Sequence, residues 1–369
     1  MNNNRNTEKT PLNYAKWACD TMMKKFKAEN LPPKGHFHYH QGVFLSGMEK
    51  TYELCKDEKY KEYIDSWVNS LVTPDGEILG FDSDELDDVQ PGILLFRMYH
   101  ETGDERYAKA IRHLIRVVKY FPKNREGGYW HKVKCKEQMW LDGLYMAGPI
   151  LAMYGKYFAD PECFDICAFQ ALLMKEKTLD EKTGLLCHAW DSLKQRPWAD
   201  PLTGKSPEFW GRAIGWVPVA LLDELEFMPE DFQDRQSLIN MAADLLLAVE
   251  KYQDKSGLWY QVIDKGSVAG NWLETSCSCL FAAALCKAVR MGFLDHSHIQ
   301  TAQKAFDGIV KRLKYHEDDL IVDGICVGTG VGDYAHYCSR PTSENDLHGT
   351  GAFLLMCTEL QRVTFESAK

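Results

Sequence analysis

Among the ionisable residues of this chain, Asp142 has the strongest reason to do chemistry. It lies in Gln138-Met-Trp-Leu-Asp-Gly-Leu-Tyr-Met146, at the head of an otherwise apolar helix. A carboxylate there is costly unless it is hydrogen-bonded or protonated, and a raised pKa is what a general acid working near neutral pH requires. The plain alternative is a helix N-cap, which Asp supplies well, and the two roles are compatible. A second acid, Asp87 or Asp88, precedes Gln90-Pro91-Gly92. Asp82, Asp84 and Glu85 crowd the same stretch, so a solvated acidic turn is the favoured reading of that pair taken alone. The stretch lacks the glycine and closing glutamate of an EF-hand, and no calcium loop is expected.

The densest constellation runs from His188 through Trp190, Asp191 and Trp198 to Phe209-Trp210-Gly-Arg212-Ala-Ile-Gly215-Trp216. The indole faces of Trp210 and Trp216 would hold a sugar ring. Arg212 offers a two-pronged grip on a carboxylate. Small Gly211 and Gly215 beside large aromatics argue for a shaped cavity rather than packing alone. His131 and Lys132, after Tyr129-Trp130, would add positive potential, a local matter that an acidic net charge does not contradict. His36-Phe-His-Tyr-His40 has the alternation of a metal cluster. No acidic partner is evident near it in sequence, so neither a metal nor another cofactor is expected.

These residues need a scaffold, and the scaffold is a loose repeat. Apolar, small-residue helices begin near Gln41, Gln90, Trp140, Trp210, Leu273 and Leu347. Each is followed by a charged amphipathic partner: Asp57 to Leu71, Asp104 to Tyr120, Pro161 to Lys177, Pro229 to Tyr252 and His296 to Tyr315. The links repeat as well, in Cys55-Lys-Asp-Glu-Lys-Tyr60 and Glu101-Thr-Gly-Asp-Glu-Arg-Tyr107. A helix that is apolar nearly all round is buried on every side, and an amphipathic one covers it. Leu12 to Glu29 would be the sixth outer helix, packing on the last inner one to close a ring. The expected fold is therefore all-α: an (α/α)6 barrel of six inner and six outer helices, with residues 1–369 as one domain and 1–10 as a flexible tail. An open superhelix of helix pairs is the alternative. Three Gly-aromatic segments, Gly127-Gly-Tyr-Trp-His131, Gly184-Leu-Leu-Cys-His-Ala-Trp190 and Gly257-Leu-Trp-Tyr-Gln261, each lead back to an inner helix and share one end of the ring. Loops held by a rigid scaffold are where function concentrates.

Composition narrows the partners. The 369 residues carry 53 Asp plus Glu against 43 Lys plus Arg, a net charge of −10, which argues against nucleic acid. The 10 Trp and 17 Tyr exceed what a core needs and suit sugar binding. The most apolar stretch, Leu280 to Val289, is too short for a membrane span and contains Lys287. Met1 to Thr10 lacks the apolar run of a secretory signal. The 12 cysteines are irregularly spaced with no C-x-x-C pair, which reads as reduced thiols in a cytoplasmic protein. A monomer or weak homo-oligomer is expected.

Gln138-Met-Trp-Leu-Asp-Gly-Leu-Tyr-Met146, Trp190-Asp191, Ser206-Pro-Glu-Phe-Trp-Gly-Arg-Ala-Ile-Gly-Trp216 and Gly328-Thr-Gly-Val-Gly-Asp-Tyr334 resemble glycoside hydrolase family 105, the unsaturated rhamnogalacturonyl hydrolases. The likeness runs from about His38 to Phe353. It implies a six-fold α/α barrel, in agreement with the repeat count. It implies Asp142 as general acid and base with Asp87, rather than Asp88, assisting. It also implies that His188, Trp210, Arg212 and Trp216 line the sugar site, with His131, Trp140, Tyr39 and Lys132 nearby. The substrate would be a lyase-generated pectin oligosaccharide ending in a 4,5-unsaturated uronate, cleaved by hydration of its double bond. An unsaturated glucuronyl hydrolase for glycosaminoglycan or other uronate fragments, or a sugar-binding barrel without catalysis, are the alternatives.

Overall fold

The computed structural model of the protein describes residues 9–366, so residues 1–8 of the expected tail lie outside the described residues. Thr10, the last residue of that tail, is ordered: its hydroxyl accepts the Asn13 amide and caps the first helix. Six helices form an inner ring: α2 (Tyr39–Cys55), α4 (Leu94–Thr102), α6 (Asp142–Tyr157), α8 (Gly211–Leu225), α10 (Thr275–Arg290) and α13 (Leu347–Glu366). Six more surround them: α1 (Pro11–Lys25), α3 (Glu58–Leu71), α5 (Glu105–Lys119), α7 (Glu162–Thr178), α9 (Arg235–Glu250) and α11 (Ile299–Val310). A five-residue helix, α12 (Tyr334–Cys338), lies at the mouth. Each inner helix packs on the next, the α4 position being filled at the mouth by a 3-10 turn over Gln90–Ile93, and α13 returns to α2. α1 seats on both α13 and α2. The ring is closed, and the fold is an (α/α)6 barrel rather than an open superhelix.

Burial follows the sequence pattern. Fourteen residues of α8 are buried, as an all-round apolar helix demands. α5 buries Tyr107, Ala110, Ile111, Leu114, Ile115 and Val118, one stripe at helical spacing, and turns its arginines outward. Small residues set the distance between inner helices: a Cβ on Gly351 would lie 2.5 Å from the Val43 carbonyl oxygen, and one on Gly47 would lie 2.6 Å from Leu354 Cβ. The repeated links have a shared mechanism. Lys56 (φ 55°) and Gly103 (φ 66°) end α2 and α4 in the left-handed region, and the next residue, Asp57 or Asp104, caps the following helix.

Three outer helices are shorter than their sequence pattern: α1 ends at Lys25 rather than Glu29, with a separate 3-10 turn over Ala28–Asn30. α9 starts at Arg235, because 229–234 form a turn, and α11 stops at Val310, because Lys314–His316 joins a hairpin with Asp319–Ile321. The mouth also carries short antiparallel ladders that helical periodicity does not reveal. β1 (Gln138–Trp140) pairs with β2 (Ala189–Asp191), and β3 (Trp259–Tyr260) with β4 (Leu273–Glu274). β5 and β6 form the hairpin after α11, and β7 (Ile325–Cys326) pairs with β8 (Thr342–Ser343). The first two ladders zip the second and third Gly-aromatic segments to a neighbour, and the first segment is tied in by the His131 amide to the Gln138 carbonyl at 2.9 Å.

The opposite end of the ring is closed by ion pairs. Lys287 of α10 is held by Asp223 and Glu226, Arg290 by Glu226 and Glu359, and Arg362 of α13 by Glu53 of α2. Burial would raise the Glu226 carboxyl, but Lys287 beside it brings it down to about 2. A carboxyl depressed in the folded state contributes stability that is present above its unfolded pKa and lost as pH falls through the folded value. Half-buried Asp223 is shifted upward and works in the opposite sense. Glu226→Gln is therefore expected to cost about 2 kcal/mol at pH 7 in denaturant unfolding, a difference from wild type that shrinks as pH falls from about 5 to 2. A difference that stays constant over that range would mean that Glu226 owes nothing to Lys287.

Candidate active site

The β1–β2 ladder builds the centre of the mouth. Trp140 pairs with Ala189, and the next hydrogen bond, from the Leu141 amide to the His188 carbonyl at 2.9 Å, brings the start of α6 beside His188. Asp142 is the first residue of α6 and does not cap it. Its Oδ2 lies 3.0 Å from His188 Nε2. This corrects the expected raised pKa. Burial does push the Asp142 carboxyl up, but His188 against it, with His131 behind, holds it below its ordinary value.

Asp87 is the second carboxylate of the site, and it is not solvated. The chain folds as a 3-10 turn over Leu86–Asp88 that turns both acids inward, with Asp87 at 6% exposure and Asp88 at 3%. Lys132 Nζ sits 2.6 Å from Asp87 Oδ2 and 2.7 Å from Glu85, and His131 Nε2 is 3.4 Å from Asp87 Oδ1. Burial would raise Asp87, yet His131, Lys132 and His38 bring it down to about 2. Asp88 takes only the Asp82 amide at 2.8 Å and faces His38 at 4.0 Å, and burial pushes it up to about 7. Lys132 is thus tied to two acids and is no free source of positive potential. The His131 ring stacks on Trp140 at 4.4 Å, and Trp140 meets His188 edge-on at 5.5 Å, which joins the two carboxylate clusters.

The indoles behave differently from expectation. Trp210 is fully buried, stacked on Tyr337 (5.6 Å, 15°), tilted on His188 at 4.8 Å and covered by the Arg212 guanidinium at 4.5 Å. It is a wall behind His188 rather than an open platform. Trp216, deeper in α8, stacks on Tyr145 at 4.7 Å and is 1% exposed. It is core packing, a correction that follows from its place six residues past Trp210 on a helix buried all round. Trp140 remains partly exposed at the mouth.

Arg212 is 2% exposed, with Nη1 donating to the Cys326 carbonyl at 2.6 Å and Nη2 to that of Val327 at 2.9 Å. A guanidinium has five N–H donors, so three remain. Those carbonyls begin the Gly328–Gly332 loop, which crosses to Trp140: a Cβ on Gly330 would lie 3.6 Å from that indole. Tyr39, the first residue of α2, is half-buried, its hydroxyl 2.9 Å from His40 Nε2, and burial pushes its pKa up while Arg212, Asp87 and Asp142 act on it electrostatically.

Sequence reasoning missed three residues. Tyr337 carries its hydroxyl to 2.6 Å from His188 Nδ1. Asp346 and His348, at the start of α13, answer the His36–His40 motif: His348 Nδ1 lies 2.8 Å and His40 Nδ1 4.0 Å from Asp346 Oδ1. The acidic partner thought absent is therefore supplied from about 300 residues away. Aspartate and histidine opening an apolar inner helix, as Asp142 does, were the available signal. His40, Asp346 and His348 could share a cation, as could His38, Glu85 and Asp87, although the Lys132 ammonium already lies between Glu85 and Asp87.

Comparison with known proteins places this geometry. The model of Glycosyl Hydrolase Family 88 matches residues 14–364. A solved glycoside hydrolase of family 105 from C. acetobutylicum ATCC 824 superposes with a TM-score of 0.90 at 36% identity, covering 95% of this chain and 99% of that one. The unsaturated rhamnogalacturonyl hydrolase YesR of Bacillus subtilis (strain 168) is 26% identical over 296 residues, 79% of each chain. Protein Atu3128 of Agrobacterium fabrum is 31% identical over 229 residues, 58% of this chain and 97% of its own length. With a family model matched over nearly the whole chain and a family 105 structure aligned along it, the protein belongs to the family 88 and family 105 glycoside hydrolases.

Proposed function

We propose that the protein releases a 4,5-unsaturated uronic acid from the non-reducing end of lyase-generated rhamnogalacturonan oligosaccharides, by hydrating the double bond. The observation that carries this reading is the inequality of the two buried acids. Ordinary glycosidases use two carboxylates, one on each side of the scissile bond. Here Asp87 is neutralised by Lys132, and only Asp142, with a single hydrogen bond to His188, is free to exchange a proton. One carboxylate suffices for hydration. Asp142 protonates C4, positive charge develops at C5 and is stabilised by the ring oxygen, and water deprotonated by the same carboxylate adds at C5. The hemiketal opens, releasing the neighbouring sugar and a 5-keto uronate. Asp142 is ionised in the free site; a bound uronate brings a second negative charge that lifts its pKa and lets it take up the proton. In this reading Asp87 assists by ordering His131 and Lys132, and Arg212 and Tyr39 receive the uronate carboxylate against the Trp140 and His188 rings.

The family relationship and the name of YesR support the rhamnogalacturonan substrate. Sulfated glycosaminoglycan fragments are disfavoured, because Lys132 and Lys134, two of the cations at the mouth, are both paired with Glu85. We take the chain as one catalytic domain that works as a monomer or weak homo-oligomer. A reducing, cytoplasmic setting is supported by twelve free cysteines, nine of them buried. No helix among the described residues is long and apolar enough to cross a membrane.

Ultraviolet absorbance of the double bond tests the substrate. Unsaturated rhamnogalacturonan disaccharides are expected to lose it faster than those from polygalacturonate, ulvan or chondroitin. In heavy-oxygen water with early quenching, label is expected at C5 of the uronate product and not at its C1, while the leaving sugar keeps its original glycosidic oxygen. Label at C1 would mean direct glycosidic cleavage and would sink the hydration reading.

A further inference from the structure

Among the described residues Asp142 hydrogen-bonds one ring, that of His188, so which of its two nitrogens carries the proton governs what Asp142 can do. A neutral imidazole has one N–H and one bare nitrogen, and the bond made at one nitrogen decides which is which. At Nδ1 the partner is a phenol, which has one hydrogen and two lone pairs. The Gly332 amide donates to the Tyr337 oxygen at 3.2 Å, and an amide N–H can only donate. One lone pair of the phenol is thereby occupied. Its hydrogen needs an acceptor, and the Nδ1 of His188, 2.6 Å away, is the acceptor within reach. Nδ1 is then bare and Nε2 carries the hydrogen, directed at Asp142 Oδ2. The three bonds admit one consistent arrangement around an ionised Asp142: Gly332 N–H to the phenol oxygen, phenol hydrogen to Nδ1, Nε2–H to the carboxylate.

The phenol is fixed independently of His188. Tyr337 is fully buried and stacked on Trp210. Its amide bonds to the Asp333 carbonyl at 3.1 Å, and its own carbonyl accepts from Gln261 Nε2 at 3.1 Å. Asp333 caps α12 through the His336 amide at 2.8 Å. The Gly332 amide is also held in place. His336 Nε2 bonds the Gly330 carbonyl at 3.1 Å, and any Cβ on Gly332 would come within 2.5 Å of the His336 ring. Arg340 holds the far side of the loop through the Gly328 carbonyl at 2.6 Å. A group this heavily constrained, ending on the nitrogen opposite the carboxylate, orients a ring rather than merely filling space.

We propose that Tyr337 is a positioning residue for the reaction: its phenol hydrogen, aimed by the Gly332 amide, holds His188 as the tautomer whose Nε2–H faces Asp142. The role rests on the reading of Asp142 as the acting carboxylate. Tyr337 touches neither substrate nor reacting atoms and works through His188. Without the phenol, Nδ1 has no partner and the tautomer of the packed ring is no longer fixed, so Asp142 loses its assured Nε2–H donor while the sugar-facing surface is unchanged.

The first test needs no variant and no turnover. In wild-type protein labelled with ¹⁵N-histidine, with the His188 resonances assigned by comparison with His188→Gln, Nδ1 is expected to be unprotonated and shifted as a hydrogen-bond acceptor, and Nε2 to be protonated. A protonated Nδ1 at neutral pH overturns the proposal, whatever the activity on unsaturated uronates. Tyr337→Phe keeps the ring stacked on Trp210; its kcat is expected to fall on the order of 10–100-fold with KM within threefold of wild type. Replacement of Tyr337 by 3-fluorotyrosine, a stronger donor of nearly the same shape, is expected to restore kcat to within threefold and shift Nδ1 further in the acceptor direction. A kcat unchanged in Tyr337→Phe, or a rise in KM with kcat retained, overturns the positioning role. Failure of the reading of Asp142 shows separately, as activity retained by Asp142→Asn with the wild-type nitrogen resonances intact.

Discussion

Asp142→Asn is expected to abolish turnover of unsaturated uronates while leaving the barrel folded and still able to bind them. The amide preserves the shape at the head of α6, and its oxygen can still accept from His188 Nε2, so the local structure has no reason to rearrange. The amide cannot give up a proton to carbon or take one from water. General acid–base groups contribute roughly 10²–10⁴-fold to rate, and here one group serves both steps, so the loss should lie at or above that range. The measurement is the initial rate of double-bond loss, with binding followed separately by calorimetry. A variant retaining a tenth of wild-type kcat would remove Asp142 from the chemistry. It would not return it to a helix-capping role, because its side chain makes no capping bond.

Arg212→Leu carries the second large effect, and the structure changes its expected form. A residue that only gripped a substrate carboxylate would alter KM. Arg212 also holds the carbonyls of Cys326 and Val327, so its removal leaves the first with only the His348 ring at 3.1 Å and the second with only the Thr329 hydroxyl, and loosens the root of the Gly328–Gly332 loop. Truncating one partner of a buried charged hydrogen-bond pair costs about 2–5 kcal/mol. kcat/KM is therefore expected to fall by roughly 10²-fold or more, with KM raised and kcat lowered together. Arg212→Lys should recover only part, since a compact ammonium on a flexible stem cannot reproduce the spread, planar fork that reaches the two carbonyls and a carboxylate. If both variants kept KM within threefold of wild type, the guanidinium would belong to the loop alone.

The barrel was largely legible in the sequence because inner helices buried all round and outer helices with one apolar stripe differ in composition. The ladders at the mouth were not, since strands of two or three residues are too short to display a period. At the site, what could be read was residue type, and what could not was long-range pairing. Asp142 stood out by its apolar surroundings, but the direction of its pKa shift depends on His188, 46 residues away. Asp87 looked solvated because four other acids share its stretch; it is buried because Lys132 and His131 come to it from another segment. Trp216 looked like a sugar platform because it shares a motif with Trp210, yet helical geometry turns it into the core against Tyr145. Tyr337, in Tyr334-Ala-His-Tyr-Cys338, has no local feature that marks it.

The seating of α1 on α13 sets the order in which this molecule can be finished. The Leu12 amide bonds Gln361 Oε1 at 3.0 Å across 349 residues of sequence, and the Trp17 indole reaches the Asp318 carbonyl. During synthesis α1 and one flank of α2 emerge first, and their partner surface emerges last. Until then the part of the barrel already made is a curved wall with an apolar edge at α1 and α2 and another at α10, both awaiting α13. Contacts this distant in sequence are slow to form, and exposed apolar edges favour association between copies. The mouth shares this dependence, because Tyr39 stands at the first edge and Asp346 and His348 at the last. A ribosome-bound chain lacking its final helix would hold Asp142 and His188 side by side, with one wall of the pocket still unmade.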